Sequence, residues 1–337
     1  MTPVPGLKSA LKRGALLAAA NWPLVLVQFI AESSLKLLLA VPVVGGAFLV
    51  ALLIDTSLAD LLQGDVREMV MSIVSALMAS PAALIAFVLA FLLVLVGGSV
   101  ITFIIKGGTV SVLAEAERVA GPIERPPLRF ESVRRASVWG IDPFLDGCSR
   151  MWKRYIRIGI GLLLAYAVSA ALYLSFVLGG YALAGNSGIL LGWTVAAAFA
   201  SSALIVWITL MNFFYLMVQM VVAVEDVSVR TGVRLAIAFV WGHLREVAGV
   251  FGVVLVMVVI ATAASILATA GLGLIAFVPL VGLAVLPLQL AAWLLRGIVF
   301  EYLALAALGA YLSHYRWYHQ GADIPARLRE VAGQRLA

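Results

Sequence analysis

Charged side chains sit inside apolar stretches at two places in the chain. Glu32 and Lys36 stand four apart in LVLVQFIAESSLKLLLAV, residues 24–41. On a helix that spacing puts both on one face, with Glu before Lys, the favourable order for an ion pair. Arg296 and Glu301 are five apart in a second apolar stretch and so point to different faces. Ionisable groups within membrane spans are costly and are functional by default. Together the four would line a polar cavity or a proton path, with Arg296 reaching Glu32 across helices. The plainer reading is preferred: the charges pair to pin helices, or Lys36 and Arg296 stretch to water.

A second signal is a pair of similar segments, VPVVGGAFLV at 41–50 and VPLVGLAVLP at 278–287. Pro42, Gly45 and Gly46 in one, and Pro279, Gly282 and Pro287 in the other, are read as helix breaks. Paired interrupted segments are a pointer to transporter sites, because unwound backbone exposes carbonyls and amides. Kinks or shallow loops are the preferred reading here. The small residues Gly161, Ala165 and Ser169 follow the spacing that lets membrane helices approach closely.

Other chemistries find no support. The three histidines, His243, His314 and His319, form no HExxH motif. The last two read as an interfacial anchor. The single Cys148 excludes a disulfide framework and a cysteine zinc site. Gly97-Gly98 and Gly107-Gly108 lack a following GK[ST] and read as packing or hinge positions. Glu225-Asp226 reads as suiting the N-terminus of the helix that follows it. No metal, cofactor or catalytic constellation is expected.

The elements that would hold these residues follow from the charge distribution. The chain has 337 residues, of which 64% are hydrophobic and 12% charged. Soluble domains carry about 25% charge. Residues 69–105, 158–224 and 247–295 carry no charge at all. About 20 apolar residues cross a bilayer, so the longer runs must turn. Gly185-Asn186-Ser187-Gly188 and the glycines and prolines from Gly271 onward are the turns. Six crossings result, near 24–54, 82–105, 158–183, 189–223, 247–270 and 287–313. Residues 1–22 form a basic amphipathic segment, 106–157 a cytoplasmic loop and 314–337 a tail. Twenty of the 23 Lys and Arg then fall on one side, Arg67 alone falls on the other, and Lys36 and Arg296 lie within helices. That bias places both termini in the cytoplasm.

Each pair of crossings is preceded by a short basic segment bearing a tryptophan. The first runs from Leu7 to Trp22. The second carries Arg150, Trp152, Lys153, Arg154 and Arg157. The third carries Arg230, Arg234 and Trp241. Phe144, Leu145, Cys148, Met151, Trp152 and Tyr155 recur at helical spacing in the second. Such segments read as interfacial helices, with the aromatic ring at headgroup level. The fold class is therefore all-α, a polytopic membrane protein of three hairpins, each with its own basic interfacial helix.

Residues 221–256, VVAVEDVSVRTGVRLAIAFVWGHLREVAGVFGVVLV, and 143–159, PFLDGCSRMWKRYIRIG, carry a resemblance. They look like bacterial six-helix membrane proteins, among them the membrane domain attached to some glycerophosphodiester phosphodiesterases and its standalone relatives. The resemblance covers layout and few motifs, and no phosphodiesterase activity is expected with it. It implies a helical domain of the bacterial inner membrane. The expected function is non-enzymatic: a lipid-interacting or complex-organising accessory subunit. Its partners would be membrane lipids, anionic ones included, with a protein partner or a second copy of the chain, and no nucleic acid. A transporter or permease of an amphiphile or small solute is the alternative, and an intramembrane enzyme the least favoured reading.

Overall fold

The structure is a computed structural model, and the residues it describes are 6–54, 81–127, 130–184, 190–276 and 281–321. Every regular element among them is an α-helix. In chain order these are α1 (Leu7–Ala20), α2 (Trp22–Ile54), α3 (Pro81–Val119), α4 (Phe130–Arg135), α5 (Ile141–Ala184), α6 (Leu190–Glu225), α7 (Val229–Gly242), α8 (Leu244–Ala276) and α9 (Val281–Gly321). Six of them, α2, α3, α5, α6, α8 and α9, are long and apolar enough to cross a membrane. The proposed turn at 185–188, residues 55–80, Pro279 and the tail beyond Gly321 lie outside the described residues.

The chain divides into two compact units, residues 27–105 and residues 1–26 with 106–337. In the smaller unit α2 and α3 run antiparallel. A Cβ on Gly46 would lie 2.5 Å from the Phe87 ring, and one on Gly98 would lie 2.4 Å from Leu35.

In the larger unit α1 lies along α9. Ala10, Gly14, Leu17 and Ala18 are buried at the spacing of one helical face. Asn21 then ends α1, two residues before Pro23. Its buried amide donates to the carbonyls of Leu17 and Ala136, at 3.0 and 2.9 Å. Its Oδ1 accepts from the N–H groups of Val138 and Trp139, at 3.0 and 3.1 Å. One side chain thus closes a helix and holds the chain that leads into α5.

Helices α5 and α6 form a second antiparallel pair, joined by polar links at successive levels. The Tyr155 hydroxyl donates to the Gln219 carbonyl at 2.9 Å, Trp207 Nε1 donates to Ser169 Oγ at 3.0 Å, and Tyr173 and Ser201 share a 2.7 Å bond. Lipid tails give helices no hydrophobic drive to associate, so such links and close contacts matter more than apolar content.

Three expectations are corrected. The helix does not break at Pro42, Gly45 and Gly46; α2 continues through them. Gly282 and Pro287 likewise lie within α9. Proline removes one hydrogen bond, but leaving the helix in hydrocarbon would strand several backbone groups. The second basic segment is not a separate helix either. Residues 144–158 are the start of α5, a helix of 44 residues. At 1.5 Å per residue that is about 66 Å, roughly twice the hydrocarbon thickness. No strong breaker stands between Pro143, in its first turn, and the crossing. Finally, Glu225 closes α6 and Asp226 takes a left-handed φ of 51°, while Ser228 caps α7. The acidic pair belongs to a helix C-terminus, and a hydroxyl supplies the N-cap.

Candidate functional site

The larger unit sorts its basic segments into an inner and an outer face. Along the start of α5, Phe144, Cys148, Met151 and Tyr155 are buried. They pack on the end of α3, where glycines let the backbones close. A Cβ on Gly108 would stand 2.5 Å from Cys148 Sγ, and one on Gly147 would stand 3.2 Å from Gly108 Cα. These are packing positions, in line with one of the two roles expected for Gly107-Gly108. The other face of the same helix exposes Arg150, Trp152, Lys153 and Arg157, together with Leu145. Lys153 Nζ lies 5.4 Å from the centre of the Trp152 ring. Arg154 turns aside and pairs with Asp226.

Helix α7 is built the same way. Gly232, Ala236 and Phe239 are buried, and Gly232 lets α7 fold back on Val222 of α6. Arg230, Arg234 and Trp241 are exposed. Trp22, at the head of α2, is 59% exposed, Trp152 43% and Trp241 73%. Three large rings, one from each basic segment, therefore remain outside the packed interior.

The intramembrane charges are arranged locally. In the smaller unit Lys36 Nζ lies 3.8 Å from Glu32 Oε2, with Lys36 exposed. In the larger unit the Arg296 guanidinium lies 5.7 Å from the Phe300 ring, and Glu301 is half-buried. The first pair forms as the spacing predicts. Arg296 and Glu301 belong to the other unit.

A buried charge cluster is the feature that sequence reasoning missed. Glu117, near the end of α3, accepts from Arg13 of α1 at 3.1 Å and from Arg316 of α9 at 2.9 Å. Arg13 also pairs with Glu124 at 3.0 Å and donates to the Gly121 carbonyl. Lys12 Nζ donates to the Glu124 carbonyl at 2.8 Å. The side chains of Glu117, Arg13 and Arg316 are 8%, 16% and 18% exposed. Sequence gives one signal for this: Lys12-Arg13 and Glu117 each lie on a short helical stretch otherwise rich in alanine. The cluster ties three helices and the 121–124 turn together. Between α7 and α9 stands an aromatic group, with His243 3.9 Å from Tyr318 and Phe239 5.1 Å from Tyr315. Among the described residues no cluster of His, Cys, Asp and Glu is arranged to hold a metal ion.

Set against known protein families, curated proteins and solved structures, the chain matches none.

Proposed function

We propose that this is a non-enzymatic, multi-pass protein of a bacterial inner membrane, with both termini cytoplasmic, that binds or organises lipid. It works through three basic, tryptophan-bearing segments. Trp22, Trp152 and Trp241 stay exposed beside Arg150, Lys153, Arg230 and Arg234, and that pattern carries the reading. Indole rings belong at the headgroup level, where one end is apolar and the other wet. Arg and Lys beside them attract anionic lipid, each by about 1 kcal/mol when near the surface. The likeness in layout to the membrane domain of glycerophosphodiester phosphodiesterases belongs to this reading and brings no hydrolase activity with it. An accessory role toward a protein partner is compatible with the same surface. The permease reading has less behind it, since Glu32 with Lys36, and Arg296 with Phe300, are arrangements within one helix.

The test is lipid enrichment around the full chain in nanodiscs of mixed anionic and zwitterionic phospholipid. The expected result is anionic enrichment that is lost when Arg150, Lys153, Arg230 and Arg234 are all changed to Gln. Equal recruitment of both lipids by the unaltered protein overturns the reading.

A further inference from the structure

A trough of about 500 Å³ runs between α5, α6 and the first turns of α7. We propose that it seats one acyl chain of an anionic phospholipid, with the lipid phosphate at Arg157. This rests on the lipid-contact reading above and names the site and the lipid class.

Four observations carry it. The walls are apolar, supplied by Gly161 and Ala165 of α5, Met211 and Phe214 of α6, and Val233 of α7. Arg157 is the one charged lining residue, and it stands at one end. It is exposed, and among the described residues no carboxylate pairs with it, whereas Arg154 is taken up by Asp226. A guanidinium with free donors matches a phosphate's oxygens in geometry and charge. From Arg157 to Ala165 along α5 is about 12 Å, close to half of a hydrocarbon core of about 30 Å. That part of the α5–α6 groove is thus about as long as one leaflet is deep, with its cation at one end. Finally, the space is real at its floor: a Cβ added to Gly161 meets nothing within 4 Å. The small residues at 161 and 165, expected to serve helix contact, here floor the trough.

The stated occupant can be told from its rivals. A phosphatidylglycerol with a diazirine at mid-chain is irradiated with the full chain in nanodiscs, and adducts are mapped by peptide mass. Adducts concentrated at 158–165 and 207–218 are expected. Adducts spread evenly over all lipid-facing helices overturn the proposal. By native mass spectrometry of the delipidated full chain, the first phosphatidylglycerol binds more tightly than phosphatidylcholine of the same chains. Arg157→Gln is expected to reduce that preference about fivefold, and Gly161→Leu, whose side chain enters open space, to remove the adducts. Retention of wild-type binding and adducts by both variants overturns the proposal, even where the surface-charge variants have lost anionic enrichment and the broader reading stands. A dimer in micelles that Gly161→Leu dissociates, with adducts unchanged, also overturns it, by placing a second copy in the trough.

Discussion

At the scale of single residues, the firmest constraints fall on small side chains. Gly14 of α1 meets Gly309 of α9 at a backbone crossing. A Cβ on Gly14 would stand 2.2 Å from the Ala306 carbonyl oxygen and 2.5 Å from the Ala310 nitrogen. Both are backbone atoms of a helix and cannot swing away. A Cβ on Gly309 would in turn stand 2.9 Å from Gly14 Cα. Overpacking of this kind costs about 1–3 kcal/mol. Gly14→Ala is expected to lower stability by about that amount, measured by denaturation of the full chain in micelles, and Gly14→Val by more. Gly252 of α8 is the matched control, because a Cβ there meets nothing within 4 Å. Gly252→Ala is expected to leave stability unchanged or raise it by up to about 1 kcal/mol through helix propensity. Equal effects at the two glycines would refute a tight α1–α9 crossing.

At the scale of elements, Glu117 links three helices through its two guanidinium partners. Arg13 comes from α1 and Arg316 from α9, with nearly two hundred residues of chain between Glu117 and Arg316. Removing one member of a buried ion cluster leaves the others uncompensated, at about 3–5 kcal/mol. Glu117→Gln takes the carboxylate from Arg316, leaves Arg13 with Glu124 alone, and is expected to destabilise the full chain by about 3 kcal/mol. Arg316→Ala leaves the Arg13 pair in place and is expected to cost less. A Glu117→Gln protein as stable as the parent would show the cluster to be incidental. The existence of the six long helices was legible in the sequence, because uncharged runs far exceeding one crossing admit little else. The ion pair of Glu32 and Lys36 was legible too, because it depends only on local spacing. What joins separate helices was not. Gly14, Glu117 and Asn21 act through partners roughly 100 to 300 positions away, and no periodicity along one helix reports such a partner. The break expected at Pro42 is absent for a different reason. Proline ends helices where water can take up the freed backbone groups, and within hydrocarbon that alternative is missing.

At the scale of the whole molecule, the distribution of charge makes one prediction that the helices alone do not. Six spans and a single exposed face of bases assign a side to every connection. The start of α5 and α7 both carry exposed bases, while Arg67 is the one base assigned to the opposite side. Since Lys and Arg near span ends resist translocation, the basic ends are expected to stay cytoplasmic. A reporter active only outside the cytoplasm, fused after Gly188, is expected to be active, and the same reporter fused after Gly121 to be silent. Because the connection after α5 is bare of charge, the orientation of that pair rests on Arg150, Lys153, Arg154 and Arg157. Changing all four to Gln is expected to reduce the activity of the Gly188 fusion and raise that of the Gly121 fusion. Silence of the Gly188 fusion in the unaltered chain would invert the topology. It would also move Arg157, and with it the trough, to the other leaflet.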